Sequence, residues 1–80
     1  MRISIRTFGI AKEICGTTLL ALDIPDHATA GELKQLLVER FPRLGGLSSF
    51  LLAVNEEFAE PDTLLGSTDE IAVIPPVSGG

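Results

Sequence analysis

Residues 29–42, Thr-Ala-Gly-Glu-Leu-Lys-Gln-Leu-Leu-Val-Glu-Arg-Phe-Pro, carry the clearest structural signal in the chain. Leu33, Leu36, Leu37 and Phe41 recur at helical spacing and form one apolar stripe, with Glu32, Gln35 and Glu39 on the opposite side. Thr29 is a good N-cap, and Glu32 three residues on completes a capping box. Pro42 stops the helix. Gly31 in the first turn costs about 1 kcal/mol relative to alanine, a cost that burial of the stripe outweighs.

Working outward, the segments on either side read as strands. Residues 2–8 set Arg2, Ser4 and Arg6 against Ile3 and Ile5, with Phe8 closing a half-buried strand. Gly9 and Gly16 bracket a short helical stretch. Thr17 to Ile24 is a second strand, with Leu20, Leu22 and Ile24 on one face, suited to pair antiparallel with the first. Pro25-Asp26 ends it, because proline cannot donate to a ladder. Past the helix, Gly45-Gly46 reads as a loop, Phe50 to Val54 as a short apolar strand, Asn55-Glu56 as a turn and Glu57-Phe58-Ala59 as a brief return. Ile71 to Ile74 is the last strand. The pattern predicts an α+β fold: a mixed sheet of about four to five strands with one main helix packed across it. An initial hairpin, a helix across the sheet and a last strand returning beside the first make the β-grasp (ubiquitin-like) arrangement. The predicted domain is 1–74, followed by a tail over 75–80.

Eighty residues make one domain, and 45% hydrophobic content is ample for its core. The formal charge of −5 argues against nucleic-acid and anionic-membrane partners and suits a basic protein partner. No apolar run is long enough to span a bilayer, and the strand-like start lacks a signal peptide's apolar region, so a cytoplasmic location is expected. Cys15 is the only cysteine, so no internal disulfide forms. With no histidine near it in sequence, it reads as a small packed hydrophobe. His27 is the only histidine and has no second ligand at a metal spacing, so it reads as a surface residue.

The chemistry points to the end of the chain, Pro75-Pro76-Val77-Ser78-Gly79-Gly80. Two prolines end the strand's donor side and favour an extended stalk. Gly79 and Gly80 have no side chains, so the terminus can thread a narrow channel in another protein and let a reactant approach its carbonyl closely. A free carboxylate is unreactive until it becomes an acyl phosphate or acyl adenylate. Once activated at Gly80, it accepts sulfur or an amine by acyl transfer.

The run Asp69-Glu70-Ile71-Ala72-Val73-Ile74-Pro75-Pro76-Val77-Ser78-Gly79-Gly80 resembles the C-terminal signature of the molybdopterin synthase small-subunit family. Phe8, Lys12-Glu13, the Leu33/Leu36/Leu37 helix and Ala53-Val54-Asn55 extend the resemblance along the chain. It implies a β-grasp fold and a thiocarboxylate on Gly80, formed after ATP-dependent activation by an adenylating enzyme of the ubiquitin-activating type. No cofactor is bound by the carrier itself. Sulfur then passes to cyclic pyranopterin monophosphate in the synthase large subunit, within a heterotetramer. The resemblance also implies that Ile74 and Phe58 contact the partner, against the alternative that both are core residues. Thr68 stands where the family often has glycine, and Gly9 replaces a frequent alanine. Two other readings stay open: a sulfur carrier for thiamine or cysteine synthesis, and a protein modifier joined to lysines through Gly80. No nucleophile–base pair or metal cluster marks the chain as a catalyst in its own right.

Overall fold

A computed structural model describes residues 1–47 and 50–75. Its strands are β1 (Arg2–Thr7), β2 (Leu19–Asp23), β3 (Leu51–Val54), β4 (Glu57–Phe58) and β5 (Ile71–Ile74). Its helices are α1 (Gly9–Cys15), α2 (Ala30–Arg40) and α3 (Pro42–Gly45). The sheet order is β2-β1-β5-β3-β4. The first and last strands run parallel at its centre, with Ile5 beside Ile71 and Thr7 beside Val73. The other pairings are antiparallel. The expected β-grasp architecture is present, with five strands.

Strand alternation and the helical stripe meet in one core. Ile3, Ile5, Ile71, Val73 and Leu52 point from the sheet toward Ala30, Leu33 and Leu37 of α2. Leu36 and Phe41, expected in the same stripe, pack at its margin and stay half-buried. The capping box forms: Thr29 Oγ1 accepts the Glu32 amide at 3.2 Å, and Glu32 Oε1 accepts the Thr29 amide at 3.0 Å. Gly31 is required by packing. A Cβ there would stand 3.0 Å from the Pro61 carbonyl oxygen, which already accepts the Gly31 amide at 2.9 Å. Among the described residues Thr7 is the one buried polar side chain, and its hydroxyl donates to the Thr17 carbonyl.

Several expected boundaries move. Phe8 is not the strand's last residue; its extended backbone caps α1. Thr17 and Thr18 bend ahead of β2, and Ile24 lies just past it, buried and bonded through its amide to the Met1 carbonyl at 2.8 Å. Phe50 and Ala59 flank their strands from outside. Pro42 does follow the end of α2, yet it also opens α3 at a first-turn position, where a missing amide hydrogen costs nothing. Gly45, expected in a loop, belongs to that helix. Its missing Cβ would meet Val38 Cγ1 at 3.0 Å, so the glycine lets α3 lie against α2.

The β3–β4 connection is a two-residue hairpin with both Asn55 (φ 53°) and Glu56 (φ 71°) left-handed, the arrangement that matches strand twist. Asn55 also anchors the loop before β5. Its Nδ2 donates to Asp69 Oδ1 and its Oδ1 accepts the Glu70 amide, both at 3.0 Å. Asp69 Oδ2 in turn accepts the Gly66 amide at 2.7 Å. Neither Thr68 nor Gly66 takes a positive φ. The turn is closed by the Asp69 carboxylate, so threonine at 68 meets no steric cost.

Candidate functional site

The side of the sheet away from α2 is uncovered, and its make-up follows from strand parity. Ile3, Ile5 and Thr7 of β1 point inward, so Arg2, Ser4 and Arg6 point out. Strand register then places Leu19, Arg6, Ala72, Ala53 and Phe58 side by side across β2, β1, β5, β3 and β4. Directly opposed residues on one face of a sheet are neighbours. The adjacent row pairs Ile74 with Leu51. A groove of about 500 Å³ runs over this face, walled by Phe8, Phe58, Ile74 and Ala72, with Arg6, Glu56 and Glu70 at its polar margin.

Four large apolar residues stand open here: Phe8 at 48% exposure, Leu19 at 56%, Leu51 at 47% and Phe58 at 69%. Scattered exposed apolar side chains are normal on a protein surface, but a contiguous group marks an interaction site. Phe58 is plainly not a core residue, against the alternative weighed for it. Ile74 is half-buried and lines the same groove, while Ile71 and Val73 face the core as their parity requires. The structure therefore brings Phe58 and Ile74 together and adds Phe8, Leu19, Leu51, Arg6, Glu56 and Glu70, which the sequence reading left unassigned. Parity was the available signal for Arg6 and Phe8: counting outward from inward-facing Ile3 and Ile5 puts both on the open side.

Pro75 continues from β5 next to this groove. Its Cγ lies 3.5 Å from where a Cβ on Gly9 would stand, and Gly9 itself has φ 53°. Pro75 thus lies against Gly9, at the start of α1. The remaining expected tail residues, Pro76, Val77, Ser78, Gly79 and Gly80, lie outside the described residues.

Cys15 sits apart from the groove at the end of α1, half-buried against the core, and burial raises its thiol above the ordinary value. That shift disfavours the thiolate a nucleophile needs. His27 is exposed in the turn after β2, with φ 66°. Among the described residues no group of three or more potential ligands is arranged to hold a metal. None of the described helices is long and apolar enough to cross a membrane.

The fold is thus a β-grasp domain with an open apolar sheet face, and Pro75 follows its last strand directly. The chain belongs to the ThiS family, whose profile matches residues 5–80 and so runs through the terminal Gly79-Gly80. It is similar to the molybdopterin synthase sulfur carrier subunit of Arabidopsis thaliana, at 36% identity over 81 residues covering 100% of this chain and 84% of the relative. Among solved structures it resembles SAMP1 from Haloferax volcanii, at 26% identity and a TM-score of 0.83 with both chains fully covered. It also resembles a chain in a protein–protein complex of subunits 1 and 2 of molybdopterin-converting factor from Helicobacter pylori, at 26% identity, a TM-score of 0.68 and full coverage of both chains.

Proposed function

We propose that this chain is the sulfur carrier subunit of a molybdopterin synthase, with Gly80 as the sulfur-bearing residue. The observation that carries the reading is an open apolar groove at the root of a segment whose family match extends to the terminal glycine pair. The domain over 1–74 is the docking body, and 75–80 is the part delivered into partner active sites.

The chemistry has two stages. On an adenylating enzyme of the ubiquitin-activating type, a Gly80 carboxylate oxygen attacks the α-phosphorus of ATP and pyrophosphate leaves. Sulfide-level sulfur (hydrosulfide) then attacks the acyl carbon, the acyl–O bond to AMP breaks, and AMP leaves the thiocarboxylate on Gly80. In the synthase large subunit, that sulfur forms a C–S bond at a side-chain carbon of cyclic pyranopterin monophosphate. The C–O bond at that carbon breaks, its oxygen leaving as phosphate-ester oxygen or as water. A water then cleaves the acyl–sulfur bond to leave the sulfur on the pterin and regenerate the Gly80 carboxylate. The carrier contributes no acid, base or metal to either stage. Its parts supply docking through Phe8, Phe58 and Ile74, and reach through Pro75, Pro76, Val77, Ser78 and Gly79. The complex of two subunits in the Helicobacter pylori structure supports pairing with a large subunit.

Incubation with the adenylating enzyme, ATP and a sulfur donor tests the assignment. Intact mass should rise by one oxygen-to-sulfur exchange, mapped to the C-terminal peptide. Sulfur found instead on Cys15 as a persulfide would overturn it. Gly79→Val should keep the wild-type melting temperature yet lose roughly a hundredfold in rate, the cost of about 1 Å of misplacement at a reacting carbonyl. Ser78→Ala should be nearly silent.

Similarity to SAMP1, a small archaeal modifier protein, favours a second use of the same activated terminus: transfer to lysine amines. Isopeptide-linked conjugates in a lysate would establish that use, and their absence would restrict the chain to sulfur transfer.

A further inference from the structure

The open face ends at β4, a strand of only two residues, and the fold continues on its far side. There a second depression of about 300 Å³ is lined by Val54, Glu57, Thr63 and Leu64, and Phe58 borders it as it borders the first groove. Leu64 is 63% exposed. An isolated exposed leucine needs no explanation. This one, however, adjoins Phe58 and is rigidly presented. Its backbone bridges Thr29, the next amide donates to the Ala28 carbonyl at 3.0 Å, and the Leu65 side chain is buried behind it. The side chain is held outward from a pinned backbone.

The charge around it is mainly acidic, with Lys34 lining a neighbouring depression with Glu60. After Arg43 the sequence holds no lysine or arginine, while Glu56, Glu57, Glu60, Asp62, Asp69 and Glu70 follow. Glu57, Glu60 and Asp62 are exposed and, among the described residues, pair with no cation. An apolar centre with an acidic margin is complementary to an apolar centre with a basic margin, and such fields govern encounter rates.

We propose that the protein docking on the open face wraps past β4 and seats an apolar side chain against Leu64, within lysines or arginines facing Glu57, Glu60 and Asp62. This surface is continuous with the first groove through Phe58 and makes β4 the midline of the interface instead of its edge. The inference rests on the carrier reading and names the partner's chemistry: a basic-rimmed protein surface that reads both sides of the edge strand.

Stopped-flow association and equilibrium binding of the full chain to the synthase large subunit, across a salt series, test it. Wild-type association should slow steeply as salt rises. Glu57→Lys should slow association about tenfold at low salt and flatten that dependence. Leu64→Ser should weaken binding about tenfold, mainly through faster dissociation, and Leu64→Ala should fall between it and wild type. Thermal melts should place all three variants close to wild type, since the changed side chains are exposed. Phe58→Ala reports separately on the open face. If it weakens binding while Leu64→Ser and Glu57→Lys bind as wild type does, the second surface is refuted and the carrier reading stands. Salt-independent association would also refute it. If wild type neither binds the large subunit nor takes sulfur at Gly80, the carrier reading itself falls.

Discussion

Truncating Phe58 to alanine separates docking from folding, because the ring is mostly outside the fold. A phenylalanine buries roughly 200 Å² when fully covered. At 69% exposure, about 140 Å² of it is left for a partner to cover and about 60 Å² already serves the domain. At about 25 cal/mol per Å², these areas correspond to about 3.5 kcal/mol for docking and about 1.5 kcal/mol for stability, as upper values. Alanine keeps a methyl group, so the expected loss of affinity is about 2–3 kcal/mol, or roughly 30- to 150-fold in Kd. The fold should lose no more than about 1.5 kcal/mol. Isothermal titration against the large subunit gives the first number, and urea unfolding of the free carrier gives the second. Sulfur loading at saturating adenylating enzyme should stay near wild type, since the tail is unchanged. An unchanged Kd in a folded protein would refute the assignment of this face to docking. A stability loss well above the limit would show that the ring supports the core after all.

Ile74→Asp should weaken the same complex while circular dichroism stays wild-type in shape; unfolding would return Ile74 to the core. Gly31→Ala should lower the melting temperature by a few degrees despite alanine's better helix propensity of about 1 kcal/mol, because overpacking costs about 1–3 kcal/mol. A higher melting temperature would show that the Pro61 carbonyl yields readily. Thr29→Ala removes half of the capping box and should cost about 1 kcal/mol in urea unfolding, with α2 otherwise intact. Cys15→Ala should fold, lose on the order of 1 kcal/mol and still accept sulfur at Gly80. In the wild type, burial raises the Cys15 thiol. Its alkylation near neutral pH should therefore be slower than that of a free cysteine and should climb only above the ordinary thiol range. Rapid alkylation near pH 7 would contradict that environment.

Helix α2 and strand β1 were legible because each states its period in side chains: Leu33 and Leu37 at helical spacing behind Thr29 and Glu32, and Ile3 and Ile5 in alternation. Helix α3 was not. Gly45-Gly46 resembles a flexible link, and only the position of Val38 on a neighbouring helix reveals that Gly45 is small for packing. The central parallel pairing of β1 with β5 joins residues far apart in the chain; no local pattern encodes it, and it was legible only through the β-grasp arrangement as a whole, in which the last strand returns beside the first. The exposure of Phe58 was signalled only by the family resemblance, since a two-residue strand has no periodicity to read. The tail chemistry stands on composition and position alone, because Gly79 and Gly80 lie outside the described residues. What the fold adds is the strand that the tail follows: Pro75 continues from β5.

That mounting has a mechanical consequence. The tail is the direct continuation of β5, which is bonded along one side to β1 and along the other to β3. A partner that grips the terminus and pulls draws β5 along its own length. Ladder bonds on both flanks run across the strand, so they resist that pull together, where an edge strand peeled sideways would release them one by one. Tension applied beyond Pro75 is therefore spread over the centre of the sheet, and the domain resists it as a solid body instead of unravelling from one edge.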